Sequence, residues 1–245
     1  MDGSGISPEI GSWFKENRES YEWPPGSTQK ISQERIMKMC SGVQTSIIDS
    51  DRNALRSMLV EIHQWKTGGQ HGTTNKYCSA LESKGSDYLD KLMGYHPFVN
   101  INNLEATIRY LKISNCNLPA CTAIASFLYC RRDVPIFDKY LAKFFAHKFS
   151  IPENDKSINQ VLGYVKNINF QFEKDGRPNN YNRIGFNHNL EIYITEFVPE
   201  CIRISKDIQE LNICYVNIYG RCVEFLPIDV EMAIFSWARK HSQIF

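Results

Sequence analysis

Asp138 heads an amphipathic stretch whose apolar stripe is Leu141, Phe144, Phe145 and Phe149. Residues 131–148 hold five cations, Arg131, Arg132, Lys139, Lys143 and Lys148, against two carboxylates, Asp133 and Asp138. An aspartate opening a helix accepts hydrogen bonds from the first-turn amides. It also lies at the positive end of the helix dipole, which favours its ionised form. An ionised carboxylate beside a pocket can stabilise the oxocarbenium-like transition state of glycosidic cleavage. The surrounding cations suit contact with phosphates. Plainer readings stand beside both: most N-cap aspartates only cap, and a charge run is usually a solvated face.

The elements around Asp138 would have to position it. Residues 103–112 have helical spacing, with Leu104, Ile108 and Leu111 on one face, 113–119 form a tight connection, and 120–130 form a second, very apolar helix. Arg131, Arg132 and Asp133 mark a surface turn, and Pro135 stops helix before it. Two helices joined this way can aim unpaired backbone amides at one phosphate. Upstream, residues 1–30, rich in Gly, Pro, Ser and Trp, read as an irregular arm. Ser32 reads as an N-cap for a helix carrying Ile36, Met39, Cys40, Val43 and Ile47. Asp51 caps the next helix, and another follows Gly85. Downstream, Ser157 to Val165 is helical, 174–189 is a polar loop, and Leu190 to Leu211 is helical with a kink near Pro199. Ile213 to Tyr219 reads as a short strand or an irregular crossing, and Asp229 as the cap of a last helix.

The chain is 42% hydrophobic and 22% charged, as in ordinary globular proteins. Its net charge of +1 excludes a generally basic polyanion binder, so any nucleic-acid contact must use a local patch. None of the eight cysteines has Cys-x-x-Cys spacing, and buried reduced thiols are expected. The six histidines form no metal-binding pattern, so no metal and no cofactor are expected. The first residues lack a basic-then-apolar leader, and no run approaches the roughly 20 apolar residues of a membrane span. The expectation is a cytoplasmic protein with no membrane partner.

The stretch Leu118-Pro119-Ala120-Cys121-Thr122-Ala123, followed by Val134-Pro135-Ile136-Phe137-Asp138, resembles the signature of the helix-hairpin-helix DNA glycosylase superfamily. There a Leu-Pro-Gly-Val-Gly-x-x-Thr-Ala hairpin precedes a Pro-Ile-x-Asp segment. Residues 61–66 and 228–235 resemble further parts of that group. The likeness spans most of 50–240, and 111–140 carries its specific part. It implies that Asp138 is catalytic. It further implies that Asn115, Asn117, Thr122, Arg131, Arg132, Lys139 and Lys143 meet double-stranded DNA. Two departures matter. The hairpin glycines are missing, leaving Asn115, Cys116 and Asn117 to make the turn. Cys121 stands where bifunctional members carry a nucleophilic lysine, which implies a monofunctional enzyme. The four-cysteine cluster loop of some members is also absent.

The implied fold is all-α and two-lobed, with the active site in the interlobe cleft and the lobes at 59–138 and at 1–58 plus 139–245. A flipped base needs aromatic walls and polar groups for its edge. Trp65, Tyr95, Tyr181, His188 and Trp237 are candidates, although such aromatics also read as plain core. The implied activity is base excision by a monomer, leaving an abasic site. The substrate is an oxidised, alkylated or mispaired base in a repair role, or a hypermodified cytosine of phage DNA in antiviral defence. The alternatives are a catalytically inactive DNA-binding module of the same fold and an α-helical protein-interaction domain.

Overall fold

Prolines or polar side-chain caps mark where several of the helices begin. The computed structural model describes residues 5–23, 28–68, 71–95, 103–114, 116–129, 133–147, 156–173 and 183–241. Helices dominate, and the strands among these residues pair into two short antiparallel ribbons. The fold is mostly α-helical, as expected. The chain divides into two compact units: Glu22–Ile136, and Met1–Tyr21 with Phe137–Phe245.

The unit at 22–136 contains α2 (Gln29–Ile48), α3 (Arg52–Lys66), α4 (His71–Ser83), α5 (Gly85–Tyr95), α6 (Leu104–Leu111) and α7 (Leu118–Leu128). The expected lobe began at residue 59, but α2 packs on α3 and α7 and belongs with them. Asp51 caps α3 as its sequence suggests, accepting from the amides of Asn53 and Ala54. Leu55, Leu59, Ile62 and Trp65 of α3 are buried, and α3 touches α2, α4, α5 and α7. The cap of α2 is Thr28, four residues before Ser32. Ser32 is buried, and its hydroxyl donates to the Thr28 carbonyl.

The other unit contains α1 (Pro8–Glu19), α8 (Lys139–Phe145), α9 (Lys156–Tyr164), α10 (Phe186–Ile192), α11 (Val198–Glu210) and α12 (Pro227–Lys240). Its ribbons are β1 (Phe172–Glu173) with β2 (Arg183–Ile184) and β3 (Cys214–Val216) with β4 (Cys222–Glu224). α1 lies inside the expected irregular arm. Ser7 caps it, Pro8 starts it, and Ile10, Trp13 and Phe14 bury one face, mainly against α12. The kink expected near Pro199 is a π-helical turn, Tyr193–Phe197. Pro199 has no amide to donate, and the Val198 amide reaches back five residues to Tyr193. Asp229 is not the N-cap of α12. It occupies the third helical position and accepts from the Leu226 amide.

One cysteine expectation is overturned. Cys214 and Cys222 are joined across the β3–β4 ribbon, whose pairing brings together residues eight apart in sequence. Cys40, Cys78, Cys116, Cys121 and Cys201 are not joined in disulfides. Among the described residues, no helix is long and apolar enough to cross a membrane.

Candidate functional site

Two pieces of the expected site are described, one in each unit. In the unit at 22–136, α6 buries Leu104, Thr107, Ile108 and Leu111 and packs on α7. Residues 112–117 connect them, and Asn117 caps α7 through its side chain, which accepts from the Ala120 amide at 3.1 Å. Pro119 lies in the first turn of α7, where a missing amide costs nothing. α7 is buried on all sides from Ala120 to Leu128, consistent with its run of small and apolar residues.

The second piece begins where the chain leaves that unit. Val134 to Phe137 is buried and non-helical, as Pro135 and its β-branched neighbours favour. Asp138 then takes an extended conformation (φ −157°, ψ −179°) as the N-cap of α8. Its Oδ1 accepts from the amides of Tyr140 at 2.8 Å and Leu141 at 3.0 Å. Asp138 is 7% exposed. A seven-residue helix is marginal by itself. Packing holds α8: Phe144 lies on Trp13 and Trp237, and Phe145 on Phe197.

The outer side of α8 is cationic. Lys139 is exposed, with Nζ 5.1 Å from the centroid of the Tyr140 ring. Lys143 follows one turn later, half-buried. Burial, and then the neighbouring Lys139 charge, push its ammonium below the usual lysine range. Two like charges one turn apart gain when an anion joins them.

The remaining expected site residues are dispersed. Thr122 is fully buried, and its hydroxyl donates to the Pro119 carbonyl. Trp65 is buried in the core of its unit, edge-on to Phe127. Trp237 is equally buried in the other unit, among Trp13, Phe144 and His241. His188 is exposed on α10. Asn115, Arg131, Arg132, Tyr181 and the side chain of Tyr95 lie outside the described residues. The sequence reading passed over Tyr140, a half-buried aromatic two residues after Asp138 and edge-on to Phe235. Its place in the first turn after an N-cap carboxylate was the available signal.

Among the described residues, no group of three or more His, Cys, Asp or Glu is placed to hold a metal ion. A cavity of about 660 Å³ opens beside Ile47, Ile48, Arg52, Asp90 and Met93, in the unit that does not contain Asp138. Compared with known proteins, the chain matches no family model, no curated protein and no solved structure.

Proposed function

We propose that this protein is a monofunctional DNA glycosylase that flips a modified or damaged base from duplex DNA and hydrolyses its N-glycosidic bond. One observation carries the reading. Asp138, nearly buried, is held rigidly by two amides at the head of a helix whose outer side presents Lys139 and Lys143. A fixed carboxylate in a poorly solvated position stabilises positive charge developing at the sugar C1′ without reorganising as the reaction proceeds. It also orients the attacking water. The lysines serve the flanking phosphates, whose charge is independent of sequence. The helix–connection–helix at 104–128 and the resemblance of 118–123 and 134–138 to the glycosylase signature support the same reading. Cys121 is a buried thiol and not an amine, so no Schiff base forms there and the product is an intact abasic site.

The test is incubation with duplexes carrying oxidised, alkylated, mispaired and phage-type hypermodified bases, scored for free base and abasic sites. Release from one class, without a borohydride-trapped covalent adduct, is expected. No release from any class, together with salt-dependent duplex binding, would favour the reading of a DNA-binding module without catalysis. A trapped adduct would contradict the monofunctional assignment. One feature favours the inactive module: Asn117 occupies the Ala120 amide and Thr122 is buried, so the connection has fewer groups for a phosphate.

A further inference from the structure

Asn117 is the N-cap of α7, so Cys116 is the residue before the cap and Cys121 is the fourth residue of the helix. Those two positions form a hydrophobic staple, in which apolar side chains meet and fix how the chain enters the helix. Here both partners are thiols. Cys116 is 4% exposed and Cys121 fully buried. The Cys121 thiol donates towards the Cys116 carbonyl at 3.5 Å and the Cys116 sulfur at 3.4 Å. The sulfurs are already in van der Waals contact, and a disulfide needs about 2.05 Å. The Cys116 amide donates to the Ile113 carbonyl at 3.0 Å inside a short turn, and an oxidant reaches the sulfur only when that turn opens locally.

We infer that Cys116 and Cys121 are a redox-active dithiol that closes to a disulfide across the head of α7, turning a contact staple into a covalent one. A hydroperoxide is the co-reactant. The Cys116 thiolate attacks one peroxide oxygen, the O–O bond breaks, and hydroxide leaves and takes up the thiol proton as water. The resulting sulfenic acid is attacked by the Cys121 sulfur; the S–O bond breaks, the S–S bond forms, and a second water leaves. Two thiols and one hydroperoxide thus give one disulfide and two waters when the oxidant is hydrogen peroxide. The pairing of Cys116 with Cys121, and then its burial, hold the Cys116 thiol well above the ordinary cysteine range. Oxidation is therefore slow and accelerates as pH rises. The locked state fixes the α6–α7 connection whatever that connection binds.

The test uses the full chain treated with hydrogen peroxide, quenched with catalase, unfolded, alkylated with N-ethylmaleimide and digested with trypsin. Cys116, Cys121 and Cys130 fall on one peptide, residues 113–131. The expected peptide is two hydrogen masses lighter, carries a single maleimide on Cys130, and fragments as a 116–121 link. Amide exchange of residues 113–122 in the oxidised protein should slow at least tenfold. The variant Cys121→Ala, which cannot resolve the intermediate, should accumulate a dimedone-reactive sulfenic acid on Cys116. Maleimide on both Cys116 and Cys121 after peroxide treatment, a link to Cys130, or unchanged exchange in the linked protein would each overturn the proposal.

Discussion

Arg18 Nε donates to Asp229 Oδ1 at 2.6 Å, and both side chains are less than a tenth exposed. The same carboxylate accepts from the Leu226 amide through Oδ2, so it closes the first turn of α12 while binding α1. The guanidinium also lies 4.3 Å over the Tyr215 ring and donates to the Tyr215 hydroxyl at 3.3 Å. One ion pair therefore ties α1, β3 and α12 together across most of the chain's length. Removing one partner leaves a buried charge uncompensated, at about 3–5 kcal/mol. Arg18→Met and Asp229→Asn are each expected to lower urea-unfolding stability by that order. The double variant should lose less than the sum of the two. Single variants within about 0.5 kcal/mol of wild type would show that the pair is not coupled as its geometry implies.

Asp138 has two separable roles, as a cap and as a charge. Asparagine caps as well as aspartate, whereas alanine costs about 1 kcal/mol at such a position. Asp138→Asn should therefore melt like wild type, and Asp138→Ala should be less stable by roughly that amount. On a confirmed substrate both variants should lose at least about a hundredfold in base release, because the stabilising charge is gone. Wild-type turnover by the asparagine variant would remove Asp138 from the chemistry and leave it a cap.

Lys139 and Lys143, with Arg131 and Arg132 close by in sequence, are expected to supply the electrostatic grip on duplex DNA. Replacing all four by glutamine should weaken binding to every sequence alike. It should also lower the slope of log affinity against log salt by roughly 0.9 per lost phosphate contact. Melting of the quadruple variant serves as the control for folding. Unchanged affinity and slope in a folded variant would place the DNA-binding face elsewhere.

His147 follows α8, one residue beyond its C-cap Ala146, with a positive φ of 50°. Burial disfavours its charged form and lowers its proton affinity in the folded state. Below about pH 6.5 the unfolded chain therefore binds more protons than the native one at this site. Its contribution is constant above that pH and turns against the folded state as pH falls through it. His147→Asn keeps a residue tolerant of positive φ and removes the titration. Between pH 7.5 and 5.5 the variant should lose less urea-unfolding stability than wild type. An equal loss would show that His147 is not a source of acid sensitivity.

Local signals carried much of this architecture. Asp51 and Asp138 cap helices as their types and spacing suggest, because a cap depends on a side chain and amides two or three residues away. Pro135 and Pro199 act on their immediate backbone neighbours, and both leave the expected mark, an extended run and a disturbed helix. The sequence alone also determined that α7 is a buried helix, since 118–128 contains no charged residue. It failed at α1, where the Gly, Pro and Ser around the helix outweighed the face formed by Ile10, Trp13 and Phe14. That face gains its stability from α12, more than 200 residues away.

Tertiary structure decided what depends on distant partners. Asp229 reads locally as a cap, and only the arrival of Arg18 from the other end of the chain makes it half of a buried ion pair. Trp65 and Trp237 were equally able to line a pocket or fill a core, and neighbours from other helices put both in cores. The joining of Cys214 to Cys222, and the contact of Cys116 with Cys121, follow from ribbon pairing and helix capping that cysteine spacing does not encode. The physical reason is range. Caps and proline effects act over one turn of backbone, whereas burial and charge pairing are settled only when the whole chain closes around a residue.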